Sequence, residues 1–192
     1  MFAILKREIN SFFSTPVGFL VVALFLIVNN LILWFIPGEF NVFDNGLADL
    51  SSFFIITPWV FLILIPAITM KAFSEEKNIG TFELLATKPI SLKDIVLGKY
   101  LGAVSLICLA LTPTILYHIT ISNLLESSSI WDIGNMIGSY IGLFFLILAF
   151  ASIGIFASTI SKSQMVTFIS SVIICFLVFY GFSIQIEFIK MI

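Results

Sequence analysis

A chain of 192 residues that is 60% hydrophobic and 10% charged, with a mean hydropathy of +1.17, is too apolar for a soluble globular domain and reads as an all-α polytopic bundle in lipid. The net charge of −2 decides little, because the charges are segregated along the chain, and nothing in the composition points to nucleic acid as a partner. Cys108 and Cys175 sit in apolar runs with neither metal-ligand spacing nor a disulfide framework, and read as small core residues.

Residues 1–14, MFAILKREINSFFS, place Phe2, Leu5, Ile9 and Phe12 at helical spacing, with Lys6, Arg7 and Glu8 largely on the other side. An interfacial helix is predicted, its apolar face in the headgroup boundary and its charged face in water. Thr15 followed by Pro16 fits an N-cap and a first-turn proline opening the next helix. The first apolar run has a spanning length and no small-residue cleavage site, so it reads as a membrane span rather than a signal peptide.

The first predicted span covers 17–36 and contains no charge; Asn29 and Asn30 fit interhelical packing better than the lining of a path. Pro37 and Gly38 end it, and the connector that follows, with Glu39, Asp44 and Asp49 and no basic residue, belongs outside. The second span, 50–70, contains Pro58 and Pro66, so kinks are expected there. The third, 100–125, contains Pro113 and leads to a second outer connector bearing Glu126 and Asp132. In it His118 lies toward the outer end, where a helix-end role is favoured over a proton relay. The fourth, 133–161, carries Gly134, Gly138 and Gly142 at four-residue spacing, which suits close packing of a second helix, within the chain or between chains. A short turn leads to the fifth, 165–182.

Between the second and third spans lies a charged island, 71–99, holding nine of the 20 charged residues and five of the nine basic ones. With Lys6, Arg7 and Lys162, it puts eight basic residues on one side against Lys190 alone on the other, which predicts a cytoplasmic N-terminus and island. Residues 74–78 read as a short polar stretch, Gly80 as a break, and Thr81 as the cap of a short helix through Phe82, Glu83, Leu84 and Leu85 that Pro89 stops. Ser91 and Asp94 resemble a capping box opening a helix that feeds the third span. Phe82, Leu84 and Leu85 need a cover: lipid and the protein's own helices serve as well as a groove on a cytoplasmic partner.

No nucleotide-binding loop, zinc-protease motif, dinucleotide fingerprint or nucleophile elbow is present, so neither catalytic residues, metal ligands nor a cofactor site are assigned, and no enzyme activity is expected. The spans carry no acidic or basic side chain except His118, which disfavours an ion-coupled carrier. Energy for any transport would have to come from elsewhere.

The run from Ile65 to Ala103 closely resembles the signature region of ABC-2 type transporter permeases. The matching residues are Pro66, the acidic pair Glu75 and Glu76, then Gly80, Thr81, Glu83, Leu84 and Leu85, then Pro89, and Gly98 with Lys99. The opening LKREINSFFSTPVGF is similar to the family's amphipathic helix before the first span. That resemblance implies six spans per permease, a second permease subunit as a homo- or heterodimer partner, and a separate cytoplasmic ATPase holding ATP and magnesium, all in a bacterial inner membrane. By the same resemblance Gly80 to Leu85 is the coupling helix, with Glu75 and Glu76 at its approach, and residues 1–14 are the connecting helix. The chain ends in IQIEFIKMI, so a sixth span is expected to be missing from it. Within the family the sequence looks most similar to gliding-motility-associated permeases, which implies a role in surface gliding. The rival expectation is a non-transporting membrane scaffold whose island recruits cytoplasmic or motility proteins.

Overall fold

Local chemistry sets each helix boundary in the computed structural model, which describes residues 1–44, 50–81, 91–124 and 133–191, the last ten by backbone alone. Helix α1 (Phe2–Ser14) ends at the extended residue Thr15, and Pro16 opens α2 (Pro16–Asn30). Contrary to expectation, the Thr15 hydroxyl does not cap α2; it donates back to the carbonyls of Ser11 and Phe12 at 3.4 and 3.3 Å. Pro16 has no N–H to satisfy, whereas the last carbonyls of α1 lack partners.

Asn29 and Asn30 donate back to the carbonyls of Phe25 and Leu26 at 2.9 and 2.8 Å, and Thr57 donates to the fully buried Asn29 Oδ1 at 3.4 Å. Asn29 therefore serves packing between neighbouring spans. Immediately afterwards the helix widens into a π turn, Leu31–Phe35, closed by the Ile36 N–H on Leu31 O at 2.8 Å.

Helix α3 (Ser51–Thr69) does not end where the charges begin. Met70 keeps helical dihedrals, its N–H reaches Pro66 O at 2.9 Å, and α4 (Lys71–Ile79) continues the run. At 1.5 Å per residue α3 is about 28 Å long, near the hydrocarbon thickness, so α4 carries the helix about 14 Å farther. The short polar stretch expected at 74–78 is thus helical. Ala72, Glu75, Glu76 and Lys77 are good helix formers, and the helix stops at Gly80, whose φ of 78° only glycine adopts without cost.

Ser91 caps α5 (Leu92–Leu111), accepting from the Asp94 N–H at 3.1 Å while its hydroxyl donates to Asp94 Oδ2 at 2.7 Å. Pro113 forces one tight turn, Thr112–Thr114, in which the Thr112 N–H takes the Leu109 carbonyl that proline cannot reach. Helix α6 (Ile115–Leu124) completes that span. Helix α7 (Ile133–Ile160) and α8 (Gln164–Met191) are joined by three residues. Helix α8 runs past the expected limit at 182, since no glycine or proline follows Gly181.

Five helical runs are long and apolar enough to cross a membrane: Gly18–Phe35, Ser51–Ile79, Leu92–Ile121, Gly134–Ile160 and Gln164–Gly181. Among the described residues there is no strand. Helix α3 is central, packed against α2, α5, α7 and α8, and contributes Phe53, Phe61 and Ile65 to a core that also holds Phe25, Leu33, Ile107, Ile121 and Ile147. Phe19, Ile63, Phe145, Phe156 and Leu177 are exposed, as lipid-facing side chains must be.

Candidate functional site: a charged joint between four helices

Helix α1 crosses α5 where α5 has no side chains to obstruct it. A Cβ at Gly98 would lie 2.8 Å from Ile4 Cβ, and one at Gly102 2.9 Å from Glu8 Cβ. Ile4 and Glu8, four apart, thus form the face of α1 that meets the protein. This corrects the expected division of the helix: Glu8 turns inward rather than staying with Lys6 and Arg7, while Phe2 is exposed. The α-amino group of Met1, 3.6 Å from Asp94 Oδ1, fixes the other end of the crossing.

Lys99, one residue after Gly98, is the centre of the site, its side chain only 3% exposed. Its Nζ lies 2.9 Å from Glu76 Oε1 on α4 and 3.4 Å from Glu8 Oε1 on α1, donates to the Ala72 carbonyl, and sits 5.0 Å from the centre of the Phe73 ring. Arg7 Nη2 bridges the same two carboxylates at 2.9 Å each. Hydrogen bonding to Glu8 raises the already high pKa of the Arg7 guanidinium, burial opposing it and Glu76 adding to it, so Arg7 stays charged throughout the physiological range. Two cations and two anions from three helices make a closed cluster. That arrangement is the condition under which a buried ammonium is tolerated.

Beside the charges, Ile4, Phe73, Ile95 and Ile155 form a separate apolar cluster with one residue each from α1, α4, α5 and α7. Lys77 donates to the Thr159 carbonyl in the last turn of α7, where a cation meets the negative end of the helix. Thr69 and Gly154 hold α3 against α7 so closely that a Cβ at Gly154 would lie 2.8 Å from Thr69 Cβ. Helix α4 is therefore fastened to α1, α5 and α7 at this end of the bundle. A cleft of about 400 Å³ opens beside the cluster, lined by charged residues of α1 and α4 and by Phe12, Ile68, Ile79 and Ala103.

Of the residues singled out in the sequence, Glu76 is in the cluster, Glu75 lines the cleft, Gly80 ends α4, and the Thr81 hydroxyl donates to Glu76 O at 3.4 Å. Phe82, Glu83, Leu84 and Leu85 lie outside the described residues. Gly134, Gly138 and Gly142 are exposed, and nothing among the described residues comes within 4 Å of where a Cβ would stand on Gly138 or Gly142. The close helix crossings within the chain fall instead at Gly98, Gly102 and Gly154. The four-residue spacing of Gly98 and Gly102 was a readable signal for the first of these. Nothing local paired Arg7 and Glu8 with Glu76 and Lys99.

A family model described as ABC-2 family transporter protein matches residues 3–191. No curated protein and no solved structure matches the chain.

Proposed function

Given that the chain belongs to the ABC-2 transporter family, as a membrane-spanning permease subunit of an ABC transporter, we propose that it couples ATP hydrolysis by a separate cytoplasmic subunit to outward movement of a substrate. The observation that carries this reading is the attachment of α4. It continues α3 beyond the apolar run and is bound through Glu76 and Lys99 to both α1 and α5. A displacement applied at its Gly80 end would reach three spans and the interfacial helix at once.

In this account the end bearing α1 and α4 faces the cytoplasm, in keeping with the distribution of basic residues. Gly80, Thr81, Phe82, Glu83, Leu84 and Leu85 dock on the ATPase, with Glu75 and Glu76 at the approach, and ATP and magnesium belong to that partner. The open Gly134, Gly138 and Gly142 face of α7 receives a second permease subunit. The scarcity of charge in the spans fits a hydrophobic or lipid-linked substrate rather than an ion. A role in gliding motility in a bacterial inner membrane rests on the sequence resemblance and is part of the same proposal.

The test is purification from native membranes in a mild detergent. An ATP-binding subunit should accompany the wild-type chain, and Glu83→Lys should release it or leave its ATP hydrolysis uncoupled. Repeated recovery of the chain without any ATPase would replace the transporter reading with the scaffold.

A further inference from the structure

The cleft beside the charged joint contains groups that the joint does not consume. Lys71 and Glu75, one turn apart on α4, both line it, and neither forms an ion pair among the described residues. Glu76 uses only Oε1 for Arg7 and Lys99; its Oε2 is buried and has no hydrogen-bond partner among the described residues. Arg7 makes both of its ion-pair contacts through Nη2, while its side chain is 49% exposed. That oxygen has essentially no accessible surface, so the group left open to a ligand in the cleft is the Glu75 carboxylate, unpaired among the described residues.

The position of the cleft limits what can complete it. It lies where the apolar run of α3 gives way to Lys71, at the boundary between hydrocarbon and headgroups, and Phe12, Ile68, Ile79 and Ala103 supply an apolar wall. A matching ligand brings an N–H cation for Glu75, an anion for Arg7 and Lys71, and an apolar tail. Choline headgroups have the charges but no N–H, and glycerol headgroups have the phosphate but no cation.

We propose that this cleft binds the zwitterionic headgroup of an aminophospholipid, its primary ammonium on Glu75 and its phosphate on Arg7 and Lys71. The bound lipid would brace α1 against α4. The inference requires only that the chain lies in a membrane, so it stands or falls separately from docking of an ATPase.

Native mass spectrometry of the full chain, reconstituted in equal parts of phosphatidylethanolamine, phosphatidylcholine and phosphatidylglycerol, tests it. Wild-type protein should retain one phosphatidylethanolamine with about tenfold preference, the scale of one charge-assisted hydrogen bond, and stepwise N-methylation of the amine should erase that preference. Glu75→Gln should abolish the preference, whereas Lys71→Gln should lower retention of all three lipids alike; both lie outside the ion cluster and should leave the unfolding temperature in lipid-free detergent unchanged. Phosphatidylethanolamine should raise that temperature for the wild type and not for Glu75→Gln. Equal retention of the three lipids by the wild type, preference for phosphatidylglycerol, or a preference that survives Glu75→Gln would overturn the assignment.

Discussion

At the scale of the residue, Lys99 is the most consequential side chain outside the apolar core. Removing one partner of a buried ionic cluster leaves the others uncompensated, so Lys99→Ala should cost about 3 to 5 kcal/mol. Arg7, half exposed and able to exchange its contacts for water, should cost less than about 1 kcal/mol on truncation. Denaturant unfolding of both variants in the same micelle checks the contrast, and equal losses would mean that the cluster is solvated. Glycines offer a second comparison. Gly154→Ala must displace Thr69 and should destabilise by about 1 to 3 kcal/mol, whereas Gly138→Ala has open space and should be neutral in the isolated subunit. Thermal unfolding of the two variants distinguishes them, and comparable losses would contradict the packing described at Gly154.

Among the elements, α4 is the one on which the proposed coupling depends, and it was the least legible in sequence. Residues 74–78 read as a polar connector by charge and apolar periodicity, but no glycine or proline lies between Met70 and Gly80, and the helix runs unbroken to Gly80. The capped start of α5 was readable from Ser91 and Asp94 because that signal is local. The ion cluster was not readable, since its members come from residues 7, 8, 76 and 99 and meet only after three helices pack. If Gly80 ends α4 by adopting positive φ, Gly80→Ala should cost about 1 to 2 kcal/mol. The loss should appear as faster amide hydrogen exchange across 71–79, with exchange in α7 unchanged. Unaltered exchange in both helices would mean that the end of α4 is set by something other than Gly80.

For the whole molecule, uniform apolar runs made the five spans legible, and the helices follow them to within a few residues except where α3 and α8 run on. Membership of the ABC-2 transporter family agrees with that architecture and with the motif between Ile65 and Ala103. The small-residue stripe at Gly134, Gly138 and Gly142 illustrates the remaining difficulty: spacing identifies a surface fit for close contact, but not which helix makes it. Among the described residues, the close crossings between distant helices are made at Gly98, Gly102 and Gly154.

In the proposed coupling, force applied beyond Gly80 travels through α4 to α1. This coupling is tested most directly by the distance between spin labels at Asn10 on α1 and Ser139 on α7, in a chain with Cys108 and Cys175 replaced by Ala and bound to its ATPase. A nucleotide-dependent change in that distance is predicted for the otherwise wild-type complex, and its loss in Glu83→Lys. A distance indifferent to nucleotide in a complex that hydrolyses ATP, or a change that persists in Glu83→Lys, would contradict the account.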